Sequence, residues 1–231
     1  MRVLELFKGT GSVSKIFEPA GHKVVSLDII EKFNPTHCCD ILDFDYKQYP
    51  PGYFKLIWAS PECKVYSNLQ TTNVGPSRAY KTRAALDKVR EDNSKYVERV
   101  LEIIDYFQPK EWYIENPWTS AMKDLPCMKD LKSYRFDYCR FGFKYKKPTR
   151  IWTNREDMED HKCTCKIDIP GFTVHEFQIG ITTPSRVRGA QDVTNTLDRY
   201  RIPEGLLRYM FAKHMPAETK KRPRPQSAPS K

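Results

Sequence analysis

No stretch of this chain approaches the roughly 18 apolar residues of a membrane-spanning helix, and no secretory leader opens it, so neither a membrane-embedded nor an exported protein is expected. A disulfide framework is also missing. Seven cysteines, an odd number without regular spacing, point to free thiols in a reducing, intracellular compartment. No internal repeat recurs, which sets aside solenoids and propellers. Acidic residues are in deficit, 29 against 39 lysines and arginines. The net charge of +10 and a pI near 9.2 favour a polyanionic partner, nucleic acid before others. What is present describes a folded domain: 39% hydrophobic and 13% aromatic residues, with a mean hydropathy of −0.66. At 231 residues the chain can build one sizeable core and a small appendage.

The first half alternates apolar runs with polar or amphipathic segments. Arg2–Phe7 reads as a strand, Ser12–Glu18 as a helix closed by Ala20-Gly21, and Lys23–Leu27 as a second strand ending at Asp28. Thr36–Leu42 holds a third strand ending at Asp40. Lys55–Ala59 is a fourth, running into Ser60-Pro61-Glu62-Cys63, and Lys64–Glu91 a long polar loop with partial helical character. Tyr96, Val97, Val100, Ile103, Ile104 and Phe107 recur with helical period, so Asn93–Phe107 is predicted as an amphipathic helix stopped by Pro109. Glu111–Ile114 is a fifth strand, ending at Glu115-Asn116-Pro117. This alternation predicts an α/β fold, a parallel sheet covered on both faces with ligands at the carboxyl ends of its strands. Beyond Tyr134 come two strands, Arg135–Cys139 and Thr149–Thr153, then an irregular stretch at Arg155–Asn195. Pro203–His214 reads as a last helix packing Leu206, Leu207, Met210 and Phe211 on the core. Residues 217–231 are expected to be a disordered basic tail.

Chemistry-bearing residues stand at the strand ends. Phe7-Lys8-Gly9-Thr10-Gly11 forms a strand-to-helix turn, where glycines let a ligand approach the backbone and the next helix offers free N–H groups. The full G-x-G-x-x-G pattern is absent, since residue 14 is Ser. Asp28, placed for ribose hydroxyls, and Asp40, placed for an adenine amine, turn this weak signal into an expectation of a nucleoside cofactor. Cys63 follows the fourth strand and Glu115 ends the fifth, which should be its neighbour. Arg150 opens a later strand, from which it is expected to fix Glu115 or a ligand carbonyl.

LELFKGTGSVS, SPECKVYS, YIENPW and KKPTRIWTN, in that order and spacing, resemble the motifs of DNA (cytosine-5)-methyltransferases, in particular the compact forms of bacteriophages and of large DNA viruses such as iridoviruses. The resemblance covers about Arg2–Thr153 and returns at RYRIPEGLL. It implies a Rossmann-like class I S-adenosylmethionine-dependent methyltransferase fold with a reduced, mostly irregular target-recognition region. The implied division is a catalytic, cofactor-binding domain at 1–153, a recognition insert at 154–198, a helix at 199–216 returning to the core, and the tail. S-adenosylmethionine would be held by Phe7, Gly9, Thr10, Gly11, Ser12, Asp28, Ile29, Asp40, Ile41, Ser60 and Pro61, with Trp58 and Ala59 lining the same pocket. The Cys63 thiolate would add to carbon 6 of a flipped-out cytosine, Glu115 would hold or protonate ring nitrogen 3, and Arg150 would orient the base near its 2-carbonyl. Double-stranded DNA would be met by Glu62 (through its backbone carbonyl), Lys64, Ser67, Asn68, Arg78, Lys81, Arg83, Asn116, Arg140, Arg186 and Arg188. Lys88, Arg90 and Gln191 are further candidates. A monomer is expected, in the nucleus or cytoplasm of a host cell.

Two positions depart from the pattern. Glu62 stands where the family has proline, and its charge would raise the pKa of Cys63 while Lys64 lowers it. Pro148 stands where a second arginine is usual, leaving Lys146, Lys147 or Arg140 to compensate. Between Thr153 and Arg199 only about 45 residues are available, short of a ~100-residue domain, so a short target site is expected, and the resemblance to the viral forms implies CpG. His161, Cys163 and Cys165, with His175 later, are arranged somewhat like a zinc knuckle, but C-x-C is not the usual C-x₂-C and no metal is expected. The tail's KKRPRP is a nuclear-import or DNA-binding patch, or an inert end. The same residues would also serve methylation of cytosine in RNA. The two departures leave room for a non-catalytic nucleic-acid-binding protein on the same scaffold, against which intact Cys63, Glu115 and strand-end acids argue.

Overall fold

The computed structural model describes residues 1–165 and 200–216, and the backbone of a short parallel pair, Phe177–Gln178 with Gln191–Asp192. Arg186, Arg188, His175, the side chain of Gln191 and the 217–231 tail lie outside the described residues. Seven strands form one sheet: β1 Arg2–Leu6, β2 Lys23–Asp28, β3 His37–Cys38, β4 Leu56–Ala59, β5 Glu111–Pro117, β6 Ser133–Asp137 and β7 Pro148–Thr153. Their order is β3-β2-β1-β4-β5-β7-β6. β1 to β5 are mutually parallel, and β7 lies antiparallel between β5 and β6. The strand order reverses at β1, between β2 and β4, which opens a crevice beyond the carboxyl ends of β1 and β4.

Alternation along the strands feeds two cores. Leu4, Leu6, Ile57, Ala59, Ile114 and Trp152 share one core with the helix α3, Ser94–Phe107. Val3, Leu56, Trp58, Tyr113 and Ile151 share the other with α1, Ser14–Phe17, and α4, Glu204–Met210. With both faces covered, the central strands read as unbroken apolar runs. α3 buries Val97, Val100, Ile103, Ile104 and Phe107, worth roughly 1.5–3 kcal/mol each. It stops where Gln108 turns left-handed at φ 44° before Pro109. The architecture is thus a Rossmann-like, doubly wound α/β fold. Among the described residues no helix is long and apolar enough to cross a membrane.

Several boundaries differ from the sequence expectation. α1 is only four residues long, because the glycine turn occupies the chain up to Val13. β3 is cut to two residues where the Asp40 carboxylate accepts the Leu42 N–H and bends the chain. β5 extends to Pro117 because β7 pairs with it as far as Thr149, so Glu115 and Asn116 are strand residues. β6 ends at Asp137, and Tyr138–Phe141 forms a 3₁₀ turn closed by Gly142 at φ 98°. The loop expected after Cys63 contains a 3₁₀ segment, Asn68–Asn73, and a helix α2, Arg83–Asp92. The last helix is split into α4 and a 3₁₀ turn at Ala212–His214.

Candidate active site

The glycine turn is held from below by an acid that sequence reasoning passed over. Glu5 on β1 is buried, and its carboxylate accepts the N–H of Val13 (3.1 Å), the N–H of Ser14 (3.1 Å) and the Ser14 hydroxyl. Desolvation pushes Glu5 up to about 6, and the hydrogen bonds hold it from going further. Above it Phe7 (φ 56°), Gly9 (φ 48°) and Gly11 (φ 68°) are all left-handed. For the glycines this is cheap, while for Phe7 it costs on the order of 1–2 kcal/mol, offset by the packing of its ring against the core. A charged residue inside an apolar strand, next to a glycine turn, was the available signal for Glu5.

Asp28 closes the turn from the neighbouring strand, its Oδ2 accepting the Gly9 N–H (2.7 Å) and its Oδ1 the Ile30 N–H (2.9 Å). A carboxylate offers about four lone-pair sites, so two remain for hydroxyls. Ile29, next in the chain, is 66% exposed, a large apolar side chain at a crevice rim that an aromatic ring would cover. Asp40 follows β3 at the same end of the sheet, and Ile41 next to it is buried in the core. Thr10 and Ser12 bring their hydroxyls to 3.4 Å, and the Ser12 hydroxyl accepts the Ile202 N–H, tying the turn to the C-terminal segment. Ser60 is bonded to Leu6 O and accepts the Trp58 indole N–H, which spends its polar groups inside the protein. Trp58 is buried in the core opposite α3, and Ala59 is buried as well. These groups fit an adenosine moiety: hydroxyl acceptors on Asp28, an apolar rim at Ile29, and a left-handed glycine turn with no Cβ at Gly9 or Gly11 to bar a close approach.

β4 and β5 are adjacent and parallel, with Ala59 opposite Ile114, so the chain carrying Cys63 and the strand end carrying Glu115 emerge side by side. Asn116 fastens them, donating its side-chain N–H to Pro61 O at 2.9 Å. Glu115 is buried, accepts the Tyr138 hydroxyl at Oε1 (2.9 Å) and has the Lys147 Nζ 3.8 Å away. Lys147 also lies 4.9 Å from the centroid of the Tyr138 ring. The Cys63 thiol is half-buried and raised above its ordinary value by desolvation first and by the Glu115 charge next, with Lys147 opposing. Glu62 is exposed, and its charge raises that thiol less than burial or Glu115 does. The substitution that looked most consequential in sequence is therefore minor electrostatically.

Arg150 does not meet Glu115. β7 pairs Glu115 with Ile151 and Asn116 with Arg150, so Arg150 lies on the other face of the sheet. There its guanidinium sits 3.8 Å above the Trp118 ring and donates to the Ser133 hydroxyl at 2.7 Å. Burial lowers its pKa from the usual arginine value. Arg150 Nε and Asn116 Oδ1, facing residues on one sheet face, are buried without a hydrogen-bond partner. The cation placed by Glu115 is instead Lys147.

The loop following Cys63 is clasped rather than loose. Arg90 of α2 is buried and donates to Val65 O and Ser67 O, both at 3.3 Å, while the Tyr66 hydroxyl donates to Arg90 O. Arg83 and Lys88 pair with Asp87 and Asp92 one turn along their own helix. Lys64, Asn68, Arg78 and Lys81 are exposed, and the Ser67 hydroxyl caps the 3₁₀ segment through the Leu69 N–H. Arg140, exposed, donates to the Thr164 hydroxyl at 2.6 Å, away from Glu115. His161 donates to or accepts from the Tyr209 hydroxyl (2.9 Å) and stacks on Phe136, so it does not join Cys163 and Cys165.

No family model matches the chain. The chain is 31% identical over 214 residues to the "Probable DNA (cytosine-5)-methyltransferase" of Frog virus 3 (isolate Goorha), across 90% of this chain and 97% of that relative. Among solved structures it is similar to the Entamoeba histolytica methyltransferase EhMeth, with 16% identity, a TM-score of 0.48 and coverage of 71% of this chain and 57% of that one. It is also similar to the S. pombe Dnmt2 methyltransferase, with 16% identity, a TM-score of 0.43 and coverage of 69% and 51%. The chain thus spans little more than half the length of these solved proteins.

Proposed function

The chain belongs to the DNA (cytosine-5)-methyltransferase family, and we propose that it methylates carbon 5 of cytosine in double-stranded DNA with Cys63 as nucleophile and S-adenosylmethionine as donor. The observation that carries this reading is the pairing of Cys63 and Glu115 at the carboxyl ends of adjacent parallel strands, beside a left-handed glycine turn and two strand-end aspartates. S-adenosylmethionine, when bound, supplies an electrophilic methyl group; Asp28, Asp40, Ile29 and the Phe7–Gly11 backbone would hold it. The Cys63 thiolate forms a bond to carbon 6, which places electron density on carbon 5. Glu115, oriented by Tyr138 and Lys147, holds ring nitrogen 3 and stabilises the charge developing there. Carbon 5 would then take the methyl group, leaving S-adenosylhomocysteine; its proton would pass to solvent, the C–H electron pair would restore the 5,6 double bond, and the sulfur–carbon bond would break to release the Cys63 thiolate. A base inside a duplex cannot meet this geometry, so it must be flipped out. The net charge of +10 and the exposed Lys64, Arg78 and Lys81 favour a phosphate backbone nearby. A short recognition site such as CpG matches the small number of residues outside the core. Seven free thiols, one of them required for catalysis, suit a reducing intracellular compartment.

The test incubates the full chain and its Cys63→Ala variant with labelled S-adenosylmethionine and duplex DNA or RNA, then maps 5-methylcytosine. Label in DNA from the wild type and none from the variant is expected. Label confined to RNA would replace the substrate, and label transferred equally by Cys63→Ala would remove Cys63 as nucleophile.

A further inference from the structure

The fold also brings one thiol, Cys139, together with a pair from 24 and 26 residues further along the chain, Cys163 and Cys165. Cys139 lies on the 3₁₀ turn after β6, and Cys163 and Cys165 lie on the segment that follows the Phe136–His161 bridge. Their sulfur atoms all lie within 4.8 Å of one another. The backbone around them is fixed by hydrogen bonds. Asp137, fully buried, accepts the Cys163 N–H on Oδ2 at 2.8 Å and donates its own N–H to His161 O at 3.0 Å. His161 N–H donates to Arg135 O at 2.7 Å, and Arg140 donates to the Thr164 hydroxyl between the two cysteines.

We propose that Cys139, Cys163 and Cys165 form a zinc site, three thiolates and a solvent ligand, that staples the end of β6 to the segment leading out of the core. The donor set is all sulfur, which suits a borderline or soft ion and excludes calcium and magnesium. Tetrahedral zinc with Zn–S near 2.3 Å sets sulfur–sulfur separations of about 3.8 Å, so the cluster needs to contract by about 1 Å at most. Cys165 is exposed, which leaves the fourth position to water. Binding exchanges three thiol protons for one Zn²⁺, giving a site of net charge −1. Arg140 and Lys146, whose Nζ lies 4.0 Å from the Asp137 carboxylate, stand close enough to offset that charge. The staple has a consequence for the candidate active site, because Cys139 adjoins Tyr138, which holds Glu115. The expectation of no metal rested on the C-x-C spacing alone; the third thiol comes from 24 residues upstream of Cys163.

The experiment uses the full chain, purified without chelator after growth with zinc, and none of its readouts depends on methyl transfer. Elemental analysis is expected to find about one zinc per chain. Cobalt exchange is expected to give the thiolate charge-transfer absorption of a tetrahedral site. Alkylation with mass spectrometry should show Cys139, Cys163 and Cys165 protected by zinc and Cys38 not. Cys139→Ser should lose the metal and Cys127→Ser should keep it. If Cys139→Ser fails to fold, the cobalt spectrum and the protection map of the wild type still decide. Absence of bound metal after incubation with excess zinc, retention of it by a folded Cys139→Ser, or a disulfide among the three in protein trapped with alkylating agent would each overturn the proposal.

Discussion

The buried Glu5 carboxylate makes the stability of this fold depend on pH in a direction opposite to most acids. Its folded pKa of about 6 lies above the ordinary value of 4.5, so between these pH values the folded state binds more proton than the unfolded one. Its stabilising effect is therefore complete below about pH 4.5 and is lost as pH rises through 6. A difference of about 1.5 units corresponds to about 2 kcal/mol. Replacing Glu5 by Gln removes the titration, while turning an amide N–H toward one of the backbone N–H groups it served, a cost that does not vary with pH. The measurable quantity is the difference in unfolding free energy between wild type and Glu5→Gln, from urea denaturation between pH 4 and 7.5. Wild type should be the more stable at pH 4, and its advantage should shrink by about 2 kcal/mol by pH 7.5. At an m-value of about 2–3 kcal/mol/M this is a relative midpoint shift of about 0.7–1 M. Because the other titrating groups are shared, they cancel in the difference. A difference that stays flat, or that grows with pH, would refute the reasoning.

Three further outcomes follow from the geometry of the site. Alkylation of Cys63 should have a pH midpoint above the ordinary thiol range of about 8.5, moving higher in Lys147→Met and lower in Glu115→Gln; a midpoint at or below that range, insensitive to both, would contradict the electrostatics described. Tyr138→Phe takes the hydroxyl from a buried carboxylate and should cost about 1–3 kcal/mol in urea unfolding, with methyl transfer falling at least about tenfold. An unchanged rate would show that Glu115 needs no such support. Arg90→Met loses the bonds to Val65 O and Ser67 O, so limited proteolysis should cut the segment between Lys64 and Lys81 several times faster than in wild type, and equal rates would refute the clasp.

Much of the site was legible because its signals are local. The strand ends at Asp28, Asp40, Cys63 and Glu115 are marked by where apolar runs stop. The neighbouring of β4 and β5 follows from strand–helix–strand alternation with α3 between them. The partner of Glu115 was not legible. Arg150 was expected to fix Glu115 or a ligand carbonyl, but pleating gives successive side chains opposite faces, and the register of Glu115 with Ile151 puts Arg150 on the face opposite Glu115, which leaves it only the second role. Lys147, just before the strand and two residues from Thr149, falls on the same face as Ile151 and reaches Glu115. Arg90 likewise reads as one more charge of a polar loop facing DNA, and only its packing against Val65 and Ser67 shows that it faces inward.

The amino-acid order by itself determined the α/β class, the left-handed glycine turn and the placing of acids and thiol at strand ends, because periodicity, glycine and chain breaks act over a few residues. Tertiary structure alone decided what meets across the sheet. The antiparallel insertion of β7 set the faces of Lys147 and Arg150, and the bridge of His161 to Phe136 on β6 brought Cys163 and Cys165 to Cys139. Such encounters depend on register and on strand direction, which no short stretch of sequence carries.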